Sequence, residues 1–222
     1  MLINRNTIEA LYSLGSDEIE ILLLKSPESI KDLIDSTFIA LPKYDSSSSD
    51  MKKHIIRLAL VSSTCIGGVA VYVPYPTRSS IKLFVNRLAE LALQNNKVTL
   101  NDIVNISSNP NKLENKKWPV YLHMFIQSIQ NELQCINLTM NDKCILTKGF
   151  IKSFLDSFSG RARHLPSGVG VLALLRSKII CKKFTGNNIN ELSWQYGVSA
   201  ATIYSYIREE RVTKRCVINN VL

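Results

Sequence analysis

Ala200, Ala201, Tyr204, Ser205 and Arg208 share one face at helical spacing, with the Ser199 hydroxyl just ahead of them. Two small side chains followed by hydroxyls and a guanidinium suit close approach to a groove and hydrogen bonding to base edges. Around them stand Lys182, Lys183, Asn187, Asn188, Thr202, Arg211, Lys214 and Arg215, which are able to neutralise or hydrogen-bond phosphates. The chemistry such a set can do is contact with double-stranded DNA: base reading by the first group, backbone contact by the second.

Two short helices around a tight turn would have to position these groups. In "INELSWQYGVSAATIYSYIREE", Leu192 faces inward and Ser193 is small enough to let a second helix approach. Gly197 can take the left-handed conformation that a larger side chain resists. Val198 plugs the gap between the helices, Ser199 can cap the second one, and Ile203 and Ile207 hold it to a core. The pattern is that of a helix-turn-helix. A helical hairpin used only for packing would show the same apolar rhythm.

Charge separates the two readings. The 222 residues carry a net charge of +9. From Arg161 onward there are ten Lys and Arg against three Asp and Glu, a net of +7, while the first 160 residues hold 17 against 15. A basic carboxy-terminal third on a near-neutral body fits a polyanion partner. With 45% hydrophobic residues, the composition is that of a folded chain.

Other chemistries find little support. The five cysteines form no CxxC pair and the three histidines add no zinc spacing, so neither metal nor cofactor is expected and the thiols read as reduced. There is no Gly-rich phosphate loop or Gly-x-Ser-x-Gly elbow, so an enzyme is not expected. Adjacent acids such as Glu209 and Glu210 point different ways on a helix and read as solvating groups. Asn, Arg, Thr and Glu within the first nine residues argue against a leader peptide. The twenty uncharged residues "LALVSSTCIGGVAVYVPYPT" are long enough to span a membrane, but Gly67, Gly68, Pro74 and Pro76 break them. A helix ending at the glycine pair and then a short strand is the better account, and the chain is expected in the cytoplasm, associated with the nucleoid.

Along the chain the order of elements repeats. "SPESIKDLIDSTFIAL" predicts a helix with Ser26 as cap and Pro27 at its first position. A helix over about 50–66, a strand, a third helix in "SSIKLFVNRLAELALQNN" and the start of a fourth in "TLNDIV" follow. The same order returns from "VYLHMFIQSIQNELQCI" through "KCILTKGFIKSFLDSFSG" and "RARHLP" to "VGVLALLRSKIICKKFTG" and "INELSWQYG". Gly68–Pro74 and Gly160–Pro166 match at an offset of 92, which reads as a diverged internal duplication of about 26–107 and 118–215. Strands this short need partners, so those near Val69–Val73 and Arg161–Leu165 are expected to pair antiparallel.

The carboxy-terminal part resembles the Mor/C transcription activators of Mu-like phages. The features shared are Leu165-Pro166 ending a strand, Phe184-Thr185-Gly186 as a loop, and Tyr196-Gly197-Val198 as the turn, followed by Thr202-Ile203-Tyr204. "CIGGVAVYVP" of the first half matches the family's glycine-rich strand. The resemblance implies a regulator that binds DNA as a dimer, pairs helices and strands between subunits, and recruits RNA polymerase. Here two dimerisation units are fused, but only the second keeps a full reading head. "NISSNPNKLENKKW" offers loop chemistry where the first would need a turn and a recognition helix.

The sequence thus predicts a mainly α fold: helical dimerisation-type units, a small two-stranded antiparallel sheet, and a carboxy-terminal helix-turn-helix domain. In chain order these are a helical extension (1–25), a first repeat (26–107), a linker (108–117), a second dimerisation-type unit (118–166) and the DNA-binding domain (167–222). The function is a sequence-specific transcription regulator; a protein-interaction adaptor, or an accessory factor of a regulatory or recombination complex, is the alternative. A single head reads few base pairs, so self-association or a second DNA-binding subunit is expected. Leu11, Leu14, Ile19, Ile21 and Leu22 are the candidate contacts, or else they cap the local core.

Overall fold

The computed structural model describes residues 4–41, 49–73, 80–106, 118–160 and 162–219. They divide into two compact units, 26–168 and a second made of 1–25 with 169–222. The packing therefore groups residues 1–25 with 169–222, and leaves 118–168 of the expected second repeat with the first.

The unit 26–168 contains α3 (Glu28–Ile39), α4 (Ser49–Ile66), β1 (Val69–Val71), α5 (Ile81–Leu93), α6 (Leu100–Ile106), α7 (Trp118–Leu133), α8 (Met140–Phe158) and β2 (Arg163–Leu165). The helix α3 begins one residue later than its sequence suggests. Pro27 is its cap, with an extended ψ of 144°, and its carbonyl receives Ile30 N at 3.0 Å and Lys31 N at 3.2 Å. Ile30, Leu33, Ile34, Thr37 and Leu41 form the buried stripe. The stripe of α7 is Leu122, Phe125, Ile126, Ile129 and Leu133, also buried and 92 residues on at every position.

The correspondence extends through the strands. α4 ends at Ile66 and α8 at Phe158. Gly67 N donates to Ser63 O at 2.9 Å, and Ser159 N to Leu155 O at 2.9 Å. Gly68 and Gly160 then turn with φ of 85° and 78°, a conformation that glycine adopts without a steric penalty. β1 and β2 pair antiparallel as Val69↔Leu165, Ala70↔His164 and Val71↔Arg163, forming the one sheet among the described residues. The flanking bonds are Gly68 N to Leu165 O at 2.8 Å and Gly160 N to Val73 O at 2.9 Å. Donors and acceptors of these two bonds exchange under the offset of 92, and Val71 faces its own counterpart, Arg163. This is the register that a two-fold relation through the Val71–Arg163 pair requires. The helices obey it too: α3 packs on α8, and α4 on α7.

The two halves fill this frame differently. Phe150, Phe125, Phe154 and Phe158 stack in that order, with centroids 5.7, 3.9 and 4.9 Å apart between successive rings. Arg57 of α4, 2% exposed, pairs with Glu132 of α7, whose side chain is 16% exposed. Gln130 of α7 anchors the α5–α6 connection, donating to Gln94 O and Asn96 O at 2.8 Å each and accepting Val98 N at 3.2 Å. The expected lack of a second recognition helix falls on 107–117, outside the described residues.

The second unit contains α1 (Arg5–Glu9), a 3-10 turn (Ala10–Ser13), α2 (Ser16–Leu24), α9 (Val169–Lys183), α10 (Ile189–Tyr196) and α11 (Ala200–Asn219). Val171, Leu175, Ile179 and Ile180 of α9 are its buried spine. α1 and α2 pack on α9, burying Leu11, Leu14, Ile19 and Leu22; Ile21, at 38%, stays exposed. Four of the five apolar residues offered for self-association thus serve the local core. No helix among the described residues is long and apolar enough to cross a membrane.

Removing one member of a buried ion pair leaves the other charge without its partner, at a cost of about 3–5 kcal/mol, whereas an apolar replacement of both is far better tolerated. Glu132→Leu should therefore destabilise strongly, and Arg57→Met with Glu132→Leu should recover most of the loss in urea denaturation. A double variant as unstable as the sum of the singles would show that the pair is not coupled.

Candidate nucleic-acid interface

α10 and α11 meet through Gly197-Val198-Ser199. Gly197 sits at φ 62°, ψ 41°, the left-handed region, which lets α10 end abruptly. Val198 N donates to Ser193 O at 3.1 Å, and the Ser193 hydroxyl returns a bond to Val198 O. The small side chain at 193 thus both permits the approach and ties the turn. Ser199 caps α11 by accepting Thr202 N at 3.1 Å, with the Thr202 hydroxyl 2.9 Å from its own. Leu192, Tyr196, Ile203 and Ile207 are buried, with α10 packed on α11 and α11 on α9.

The outward face of α11 carries what its sequence spacing predicts. Ala201, Tyr204, Ser205, Arg208 and Arg211 are exposed, Ala200 and Thr202 half-buried. Residues 201, 204, 205, 208 and 211 line one shallow groove, with Tyr204 at 56% exposure. Among the described residues, neither Arg208 nor Arg211 has a carboxylate partner. The neighbouring acids are engaged instead: Glu209 accepts the Ser205 hydroxyl at 3.1 Å, and Glu210 lies 3.7 Å from Lys178 of α9. The first bond lies within α11 and the second ties α11 to α9, a role their adjacency in sequence does not reveal.

The flanking groups separate into two kinds. Asn187 and Lys183 are exposed, the Lys183 ammonium lying 5.6 Å from the Tyr196 ring centroid. Asn188 is occupied in building the loop, accepting Thr185 N at 3.0 Å and donating to Lys183 O at 2.9 Å. Lys182 donates to Ser13 O and Glu18 Oε2, each at 3.1 Å, fastening α2 to α9. Two of its three ammonium hydrogens are thereby engaged, and the third remains for a phosphate. Lys214 and Arg215 lie on α11, but their side chains are outside the described residues.

Chain order hid one part of the head. The amide nitrogens of Asn4 and Asn6 both donate to Gln195 O, at 3.2 and 2.9 Å, so α1 closes the end of α10. Asparagines at an amino terminus signal nothing of a partner 189 residues away. Groups of His, Cys, Asp or Glu able to hold a metal are absent among the described residues.

A family model described as the Mor transcription activator family matches residues 116–219. "Mu-like prophage FluMu protein C" of Haemophilus influenzae is 34% identical over 58 residues, 26% of this chain and 81% of that protein. This chain belongs to the Mor transcription activator family. "Late transcription activator C" of Escherichia phage Mu is 31% identical over 96 residues, 43% of this chain and 66% of that protein. No solved structure matches. In this Mor-family chain the matched segment runs from just before α7 to the end of α11, taking in both α10 and α11.

Glu18 accepts Gly15 N at 2.8 Å, and this bond, with Lys182 beside it, holds its carboxyl below the usual range. A lowered folded-state pKa adds stability above the unfolded value, lost as pH falls through the folded value. With both partners partly exposed the effect is small, about 0–1 kcal/mol. Amides of α2 should therefore lose hydrogen-exchange protection on acidification, and Glu18→Gln should show that loss already at neutral pH. Gly197→Ala should cost about 1–2 kcal/mol from the left-handed conformation alone, read as a lower Tm.

Proposed function

We propose that this protein is a sequence-specific DNA-binding transcription activator whose reading head is the α10–α11 pair. The observation that carries the reading is the face of α11. Small residues at its start, then Tyr204, Ser205, Arg208 and Arg211, project from a helix whose opposite side is fixed by Ile203 and Ile207. Family membership supports the same reading, and argues against an enzyme. In this account Ser199, Ala200, Ala201, Tyr204, Ser205 and Arg208 meet base edges in the major groove. Lys183, Asn187, Thr202, Arg211, Lys214 and Arg215 contact phosphates. Lys182 and Asn188 join them with the donors that their internal bonds leave over.

The unit 26–168 then serves as a fused pair of dimerisation units, one chain providing both partners. The matched helices, the paired glycines and the two-fold register at Val71–Arg163 support that origin by duplication. One head per chain makes a second contact necessary, through association of two chains or through another DNA-binding subunit. RNA polymerase is the partner an activator of this kind recruits. The place of action is the cytoplasm, at the nucleoid.

Binding to fragments of the host genome, against scrambled duplexes and across salt, tests this. Tyr204→Ala or Arg208→Ala should weaken the preferred site by about 1–3 kcal/mol and leave scrambled DNA little changed. Arg211→Ala should weaken all sequences alike and lower the salt slope by about one unit. Equal losses on both kinds of DNA for every variant would remove base reading from α11.

A further inference from the structure

The two halves of the core differ most where the offset of 92 places Gly149 against Arg57 and Ala40 against Glu132. In one place a guanidinium and a carboxylate fill the space between helices. In the other, both side chains are reduced to a hydrogen and a methyl, and a cavity of about 450 Å³ lies there, bordered by Ala40 and Gly149. Leu41 leans into part of the vacated room: a Cβ on Gly149 would stand 2.7 Å from its Cδ2. Among the described residues the rest stays open, floored by Leu41, Ile81, Val85 and Ile145.

Its rim is cationic. Lys82 of α5 and Lys148 and Lys152 of α8 border the opening. Lys152 is bound to Asp156 at 2.9 Å, while Lys82 and Lys148 have no carboxylate partner among the described residues. The residues 92 positions before Lys148 and Lys152 are Ile56 and Leu60, each 1% exposed. The place without the buried ion pair is thus the one that carries the surface lysines.

We propose that this groove between α3, α5 and α8 binds a small amphipathic anion, an apolar body carrying a carboxylate. The size falls within the range of small-molecule sites, about 300–1,000 Å³. An alkyl or aryl body buries the floor, as a bare anion cannot. A carboxylate meets Lys82 and Lys148, as a neutral hydrocarbon cannot. The site is separate from the α11 face, and its test needs no DNA.

The full chain is titrated with octanoate, 1-octanol and inorganic phosphate, followed by methyl NMR of Leu41, Val85 and Ile145. Octanoate should saturate and shift these methyls, with 1-octanol and phosphate at least tenfold weaker. Lys82→Gln with Lys148→Gln, both at the protein surface, should weaken octanoate about tenfold and leave 1-octanol unchanged at an unaltered Tm. Absence of saturable binding, equal affinity for 1-octanol, or an indifferent double variant would overturn the proposal. So would shifts produced by an acidic amphipathic peptide and not by octanoate, which would make the groove a docking site for a protein.

Discussion

A three-residue strand cannot satisfy its own backbone, and the core of this protein is built on two of them. Each follows a helix that ends at a glycine in a left-handed turn, and each finds in the other the donors and acceptors it lacks. Because the bonds at the two ends, from Gly68 to Leu165 and from Gly160 to Val73, are equivalent, the pairing also fixes how the preceding helices meet. α4 is brought to α7 and α8 to α3, so that the other half of the chain contributes to the burial of each helix stripe. Both partners of these contacts lie on one chain.

Two halves that share a backbone register need not share side chains. One frame holds Arg57 and Glu132 at the positions where the other holds Gly149 and Ala40. The phenylalanine stack likewise belongs to α7 and α8, with Leu33, Leu58, Ser62 and Ile66 standing at the matching positions of the first half. Symmetry in the backbone with divergence in the side chains is what close packing permits, provided that each pocket is refilled or used.

Much of this is legible in the sequence because the signals are local. The stripes of α3 and α7, the breaks at Gly67-Gly68 and Gly160, and the Gly197 turn all follow from period, glycine geometry and capping chemistry. The strand pairing is legible as well, since a repeated short strand has an obvious partner. What sequence hides is contact between distant segments. Leu11, Leu14, Ile19 and Leu22 show an apolar face without saying that it belongs on α9. Lys182 and Asn188 read as free polar groups until Glu18 and the Thr185 loop are seen to engage them. The cavity beside Gly149 arises from two small residues 109 positions apart, each unremarked alone.

The pairing of β1 with β2 inside one chain is the claim on which the fused core rests, and amide hydrogen exchange at Gly68 and Gly160 reads it directly. Each amide donates across the strand pair, to Leu165 and to Val73. Both should exchange slowly, to a similar extent, and at rates that do not change as the protein is diluted. Protection of one amide alone, or protection that fades on dilution, would mean that the strands pair between molecules and that the core is not a fused dimer.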